Sequence, residues 1–166
     1  FEAAKAQIRL FDKWVLENPD VIAHARSVSE IETIIGSGKV AVVLAIEGGH
    51  HLSGDLSSLD FFRAAGIFYI TLVHFINNGI AESTLLSGFS SKTPLTQFGR
   101  DLIRAMNTKK VIVDVAHCSE AAFWQVMEAS QTPPIYSHGG SRLLYPGHLR
   151  RGSLWGKIDD VIRHLG

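Results

Sequence analysis

The chain of 166 residues has little of what would assign it quickly. It has one cysteine, Cys118, which excludes an internal disulfide and a CxxC zinc motif. It has no excess of charge: sixteen Lys and Arg balance sixteen Asp and Glu, and no basic cluster is interleaved with aromatics. Neither a nucleic acid nor an anionic membrane surface is therefore an expected partner. No apolar run approaches the roughly 20 residues of a membrane span, so none is expected. No signal peptide is expected either, because FEAAKAQIRLF reads as a helix already under way. The lone cysteine weakly favours a reducing, cytoplasmic compartment, and nothing else in the chain assigns a location. What is plentiful is apolar: 46% of residues are hydrophobic, enough for one globular domain with a sizeable core.

The stretch AVVLAIEGGHH, 41–51, organises the rest. Val40 to Ile46 reads as a strand covered on both faces, since its Val, Leu and Ile do not alternate with polar residues. It stops at Glu47. A carboxylate closing a buried strand needs a partner, and losing that partner costs ~3–5 kcal/mol. The pattern recurs. IFYITLV ends at His74, VIVDVA at His117 and PIYS at His138. One histidine at a strand end is usually a satisfied core residue. Four strand ends, all closed by residues that bind metals or move protons, favour a site.

The intervals between these strands read as helices. Phe1 to Glu17 carries Ile8, Phe11, Trp14 and Val15 on one face. Ser29-x-x-Glu32 reads as a capping box for a short helix through Ile35. A helix over 56–65 turns Leu59, Phe62 and Phe61 inward, and Gly66 caps it. After His74, the polar stretch 77–94 has the length and composition of a functional loop, often a lid. Thr96 starts a helix with Phe98, Leu102, Ile103 and Met106 on its buried face. Ser119 is the N-cap of a helix over 120–130 carrying Phe123, Trp124, Val126 and Met127. The tail is a basic loop, 139–152, without a strand, followed by a short amphipathic helix, 157–165. Strand–helix alternation implies right-handed βαβ units and a parallel sheet. In such α/β folds, chemistry gathers at the carboxyl ends of the strands, where Glu47, His74, His117 and His138 stand.

Two imidazoles and a carboxylate are a standard donor set for a catalytic divalent metal, and Glu47, with two oxygens, could serve two ions. A further histidine beside them could hold a substrate carbonyl. Arg142, Arg150 and Arg151 could bind a carboxylate in bidentate fashion, although any one of them is more often a solvated loop residue. Ser119 and Ser137 lack the relay or elbow of a serine nucleophile. Cys118 adjoins His117, but neighbours along a strand face opposite ways.

Taken together, AIEGGHHL, YITLVHFINN, LTQFGRDLIRAMN, VIVDVAHCS and PPIYSHGGSR resemble the membrane (renal) dipeptidase family of metallopeptidases. The resemblance runs over about 28–151 and again over 158–166. It implies a (β/α)8 TIM barrel, of which this chain would carry roughly four central strand–helix units as one partial catalytic domain, 1–166. It implies two zinc ions bridged by Glu47, one of them completed by His117 and His138, and hydrolysis of dipeptides by metal-activated water. It also implies that His74 contacts the substrate carbonyl and that an arginine after His138, here Arg150 with Arg151 second, holds the substrate carboxylate. The family's first-strand His-x-Asp pair has no counterpart before Glu47, where Asp20 and His24 stand in the wrong order. Its late Asp-rich motif has no counterpart either, and Gly139-Gly140 replace its usual Ser-Asn. These departures keep two alternatives open: a metal-binding but catalytically silent domain, and a related metal-dependent amide or lactone hydrolase. A homodimer is also left open.

Overall fold

In the computed structural model, residues 1–52, 54–85, 93–141 and 156–157 are described. Helix α1, Glu2–Glu17, is followed by β1, Ile22–His24, and α2, Val28–Gly36. Next come β2, Val40–Val42, and β3, Leu44–Glu47, which are one strand interrupted at Val43. A 3-10 turn, Gly49–Leu52, leads to α3, Ser58–Ala64, and β4, Ile67–Thr71. Then follow α4, Gln97–Lys109, β5, Ile112–Asp114, and α5, Glu120–Ala129. The short strands β6, Gly140–Ser141, and β7, Gly156–Lys157, pair in parallel within a tail that the sequence reads as strandless. The amphipathic helix expected over 157–165 begins in β7 and otherwise lies outside the described residues.

Among the described residues every pairing between named strands is parallel, with isolated antiparallel bridges only at Ala81–Leu95 and Ser83–Cys118. β1 pairs with β2, and β3–β4–β5 form a second sheet in chain order. The interruption at Val43 is where this long strand changes partner, from β1 to β4. The segment expected as a strand before His138 adds a single parallel bridge, Asp114 to Ile135. Strands laid down side by side in chain order, with right-handed crossovers, put all intervening helices on one face. The core lies there: Ile46, Ile70 and Val113 form one cross-strand row beneath Leu59, Phe62, Leu102, Ile103, Met106, Phe123 and Val126.

The other face is different. Val40 is 58% exposed, and Ala45 and Glu47 are exposed. The apolar run 40–46 is therefore not covered on both sides along its length, although Thr71 and Asp114, in register with Glu47, are fully buried. Phe61, Trp14 and Trp124 are likewise more exposed than the helix readings imply, at 37%, 49% and 36%. β1 is absent from the sequence reading. The capping box also sits two residues earlier than expected: Ser27 Oγ accepts from the Glu30 N–H at 3.2 Å, and the Glu30 carboxylate accepts from the Arg26 N–H at 2.8 Å. Thr96 and Ser119 cap α4 and α5 as the sequence indicates. Among the described residues no helix is long and apolar enough to cross a membrane.

Candidate metal centre

One cross-strand row sets the site. Glu47 stands opposite Thr71, Thr71 opposite Asp114, and Asp114 opposite Ile135. Glu47 closes β3. From each of the other three row positions the chain runs on by three residues and reaches a histidine: His74 after Thr71, His117 after Asp114, His138 after Ile135. Parallel strands in register thus deliver three imidazoles to one carboxylate.

His117 Nε2 lies 3.1 Å from Glu47 Oε1 and 2.8 Å from His138 Nε2. His138 Nε2 is 3.3 Å and His74 Nε2 3.5 Å from the same oxygen. The donor atoms of Glu47, His117 and His138 all lie within 4.8 Å of one another. Zinc bonds of about 2.0–2.1 Å in a tetrahedron separate neighbouring donors by about 3.3 Å. Two nitrogens and one oxygen at 2.8–3.3 Å therefore fit such an ion after a small outward relaxation. Every contact of Glu47 goes to Oε1, so among the described residues its second oxygen is left to face elsewhere.

The four residues differ in exposure. The His117 side chain is 3% exposed, His74 28%, His138 42% and Glu47 52%. Burial pushes the His117 imidazole below the ordinary histidine range. The hydrogen bond to Glu47 opposes that shift, and the neighbouring His74 and His138 reinforce it. A neutral imidazole keeps a lone pair for a cation. Glu47 is not the buried carboxylate that the sequence suggests: it ends β3, the edge strand of its sheet, and is half exposed.

His117 has φ 64°, an uncommon conformation for a residue with a side chain. Local hydrogen bonds impose it. The Ala116 N–H donates to Asp114 Oδ1 at 3.1 Å, an Asx-type turn, and the Cys118 N–H donates to the Val115 carbonyl at 3.2 Å. The strand stops there and the His117 ring swings toward Glu47. Residues 77–85, expected to be loop or lid, contain no helix or named strand and are packed, with Ile80, Ala81, Glu82 and Ser83 buried. Asn78 accepts from the Ile80 and Ala81 N–H groups and donates to the Leu72 carbonyl. Ser83 Oγ donates to the His74 carbonyl at 2.6 Å, and the Thr84 N–H donates to the His117 carbonyl at 2.8 Å. This segment therefore braces the backbone of two of the histidines. Residues 86–92 of the same stretch lie outside the described residues.

Within the row, Asp114 is fully buried. It accepts from Thr71 Oγ1 at 2.6 Å, Ser137 Oγ at 2.7 Å and the Ser137 N–H at 3.0 Å, besides the Ala116 N–H. The sequence reading passed over it, although an aspartate inside the apolar run VIVDVA was itself a signal: a buried charge requires partners. The structure brings Glu47, His74, His117 and His138 together. Arg150, with Arg142 and Arg151, lies outside the described residues. His50 and His51 occupy the turn beyond β3 and are not among the three clustered donors, and Cys118 is a buried free thiol.

A family model described as Membrane dipeptidase (Peptidase family M19) matches residues 1–152. The chain is 34% identical over 148 residues to Dipeptidase tcpJ of Claviceps purpurea, covering 87% of this chain and 33% of that protein. It spans about a third of the length of the curated relatives it matches. Its fold superposes on an amidohydrolase from Pseudomonas aeruginosa with a TM-score of 0.87 at 19% identity, over 99% of this chain and 48% of that one. It also superposes on a metallo peptidase from Rhodobacter sphaeroides liganded with a phosphinate mimic of the dipeptide L-Ala-D-Ala. There the TM-score is 0.81 at 19% identity, over 98% of this chain and 45% of that one.

Proposed function

The chain belongs to the membrane dipeptidase family, and from that premise we propose that the full-length protein is a zinc-dependent dipeptidase whose metal is held by Glu47, His117 and His138. The observation that carries this reading is the convergence of those three donors within 4.8 Å from three separate strand ends. When bound, the cation supplies a Lewis acid and lowers the pKa of a water to about 7, which provides a nucleophile at neutral pH.

The chain's own residues do the rest. His117, kept neutral by burial, presents a lone pair at physiological pH. Glu47 would hold the cation together with His117 and His138, and as a carboxylate with two oxygens it could also serve a second ion. His74, 3.5 Å from Glu47 Oε1 and stacked on Phe75, donates from its ring to the substrate carbonyl oxygen as negative charge develops there. Arg150 pairs with the substrate carboxylate and so selects short peptides by their free end. Strands added in chain order with helices on one face are the wall of a (β/α)8 barrel, and the exposed face carrying Glu47 becomes its interior.

Metal analysis and a dipeptide hydrolysis assay on the full-length protein test this. Zinc should co-purify, and a chelator should abolish a hydrolysis that added zinc restores. Glu47→Ala should lower kcat/KM by more than about 100-fold, the upper end of what even outer-shell partners contribute. Undiminished turnover in that variant would sink the assignment. The likeness to an amidohydrolase keeps a second substrate class in view, and a panel of lactones and non-peptide amides on the same preparation separates the two.

A further inference from the structure

We propose that Asp114 is a positioning residue that acts through Ser137 to fix the tautomer of His138. The inference deepens the proposed function and rests on it for what the His138 Nε2 lone pair meets.

As a carboxylate, Asp114 only accepts hydrogen bonds. Two backbone N–H groups, from Ala116 and Ser137, donate to Oδ1. Two hydroxyls, from Thr71 and Ser137, donate to Oδ2. The single Ser137 hydroxyl proton is therefore committed to Asp114, at 2.7 Å. Ser137 Oγ also lies 2.9 Å from His138 Nδ1, and with its own proton spent it can only accept there. His138 consequently carries its proton on Nδ1, and its lone pair sits on Nε2. That is the nitrogen 3.3 Å from Glu47 Oε1 and 2.8 Å from His117 Nε2. A ligating histidine usually passes its other ring N–H to a carboxylate or carbonyl. Here a serine is interposed, and the buried carboxylate orders that serine.

The placement of Asp114 supports the same conclusion. It is fully buried, and its hydrogen bonds reach the ends of three adjacent segments: Thr71 on β4, its own β5, and Ser137 next to the bridge at Ile135. His138 itself is 42% exposed. His117 and Glu47 meet the ring on its Nε2 side, and the hydrogen bond at Nδ1 fixes the opposite edge. Thr71, which shares Oδ2 with Ser137, keeps that oxygen aligned.

The experiment uses the full-length protein in two measurements. Nitrogen-15 imidazole NMR of the metal-free protein at alkaline pH, where imidazole is neutral, reads the tautomer, and the signal lost in His138→Gln assigns it. Competition against a chromophoric chelator reads zinc affinity. Wild-type protein should show His138 protonated on Nδ1. Ser137→Ala should give a mixture of tautomers and lower zinc affinity about 10–100-fold. Ser137→Thr, which keeps the hydroxyl, should restore both. In Asp114→Asn the new amide can donate to Ser137, which then turns its proton toward His138 and favours the opposite tautomer. An unchanged tautomer together with unchanged zinc affinity in Ser137→Ala overturns the proposal. Because the tautomer is read without metal, a wild-type protein that binds no zinc would refute the proposed function while the NMR still decided this one.

Discussion

At the scale of single residues, two contacts illustrate how little freedom some positions have. Gly66 adopts φ +88°, and a Cβ there would lie 2.5 Å from the His24 ring. Gly66→Ala should destabilise the full-length protein by about 1–2 kcal/mol from the left-handed backbone alone, with the clash adding to it. A melting temperature equal to wild type would contradict this. His24 makes the second point. Burial holds its imidazole below the ordinary range, against the opposing influence of the Gly66 carbonyl. The unfolded chain then takes up this proton first as pH drops below about 6.5. Stability tied to His24 is complete above that value and is lost as pH falls toward the lowered folded-state pKa. Thermal melts from neutral to mildly acidic pH should therefore decline less steeply in His24→Gln than in wild type. The convergence of the four candidate residues was legible at this scale where chemistry and position coincided: Glu47 and the three histidines each end an apolar run. Asp114 was not read, because it sits inside its run and its partners, Thr71 and Ser137, are distant in sequence.

At the scale of elements, the helices on the covered face followed from their spacing. Leu59 and Phe62 on α3, Leu102, Ile103 and Met106 on α4, and Phe123 and Val126 on α5 are all buried. Leu102→Ala should cost about 2–5 kcal/mol in chemical denaturation of the full-length protein. Large side chains beside those stripes, Phe61, Trp14 and Trp124, look the same to a periodicity argument and differ only in what packs on them. β1 escaped notice because three residues, one a histidine, give too short a pattern for alternation to be seen. The start of α2 offers a sharp comparison, since two Ser-x-x-Glu boxes overlap there. Ser27→Ala should cost about 1 kcal/mol, whereas Ser29→Ala should stay within about 0.5 kcal/mol of wild type. The reverse order in denaturation midpoints would restore the box read from sequence.

At the scale of the whole molecule, exposed apolar residues on β2 and along α1 stand out. Leu10, Trp14, Leu16, Val21 and Val40 are 67%, 49%, 78%, 60% and 58% exposed. Chains that show contiguous apolar surface and open strand edges associate. The 166 residues expressed alone should scatter light and bind a hydrophobic dye more strongly than the full-length protein, and should not hydrolyse dipeptides. A monodisperse, dye-silent monomer would refute that. Sequence alternation revealed a parallel α/β wall but not which face lay open, because runs of Val, Leu and Ile look alike whether or not a second layer covers them. One further consequence concerns spacing. Each histidine is counted off, three residues along, from the row Thr71, Asp114, Ile135, and that row is locked by pairing between strands. The arrangement works as a ruler with its zero on the sheet. Deleting or duplicating one codon between 72 and 73, 115 and 116, or 136 and 137 would turn one imidazole away while leaving every residue type of the motif in the gene. The same change in the turn before β5, around Lys109 and Lys110, leaves the ruler untouched. Under the proposed function, relatives can thus be sorted into working and broken copies by counting intervals, even when all four chemical letters are still present.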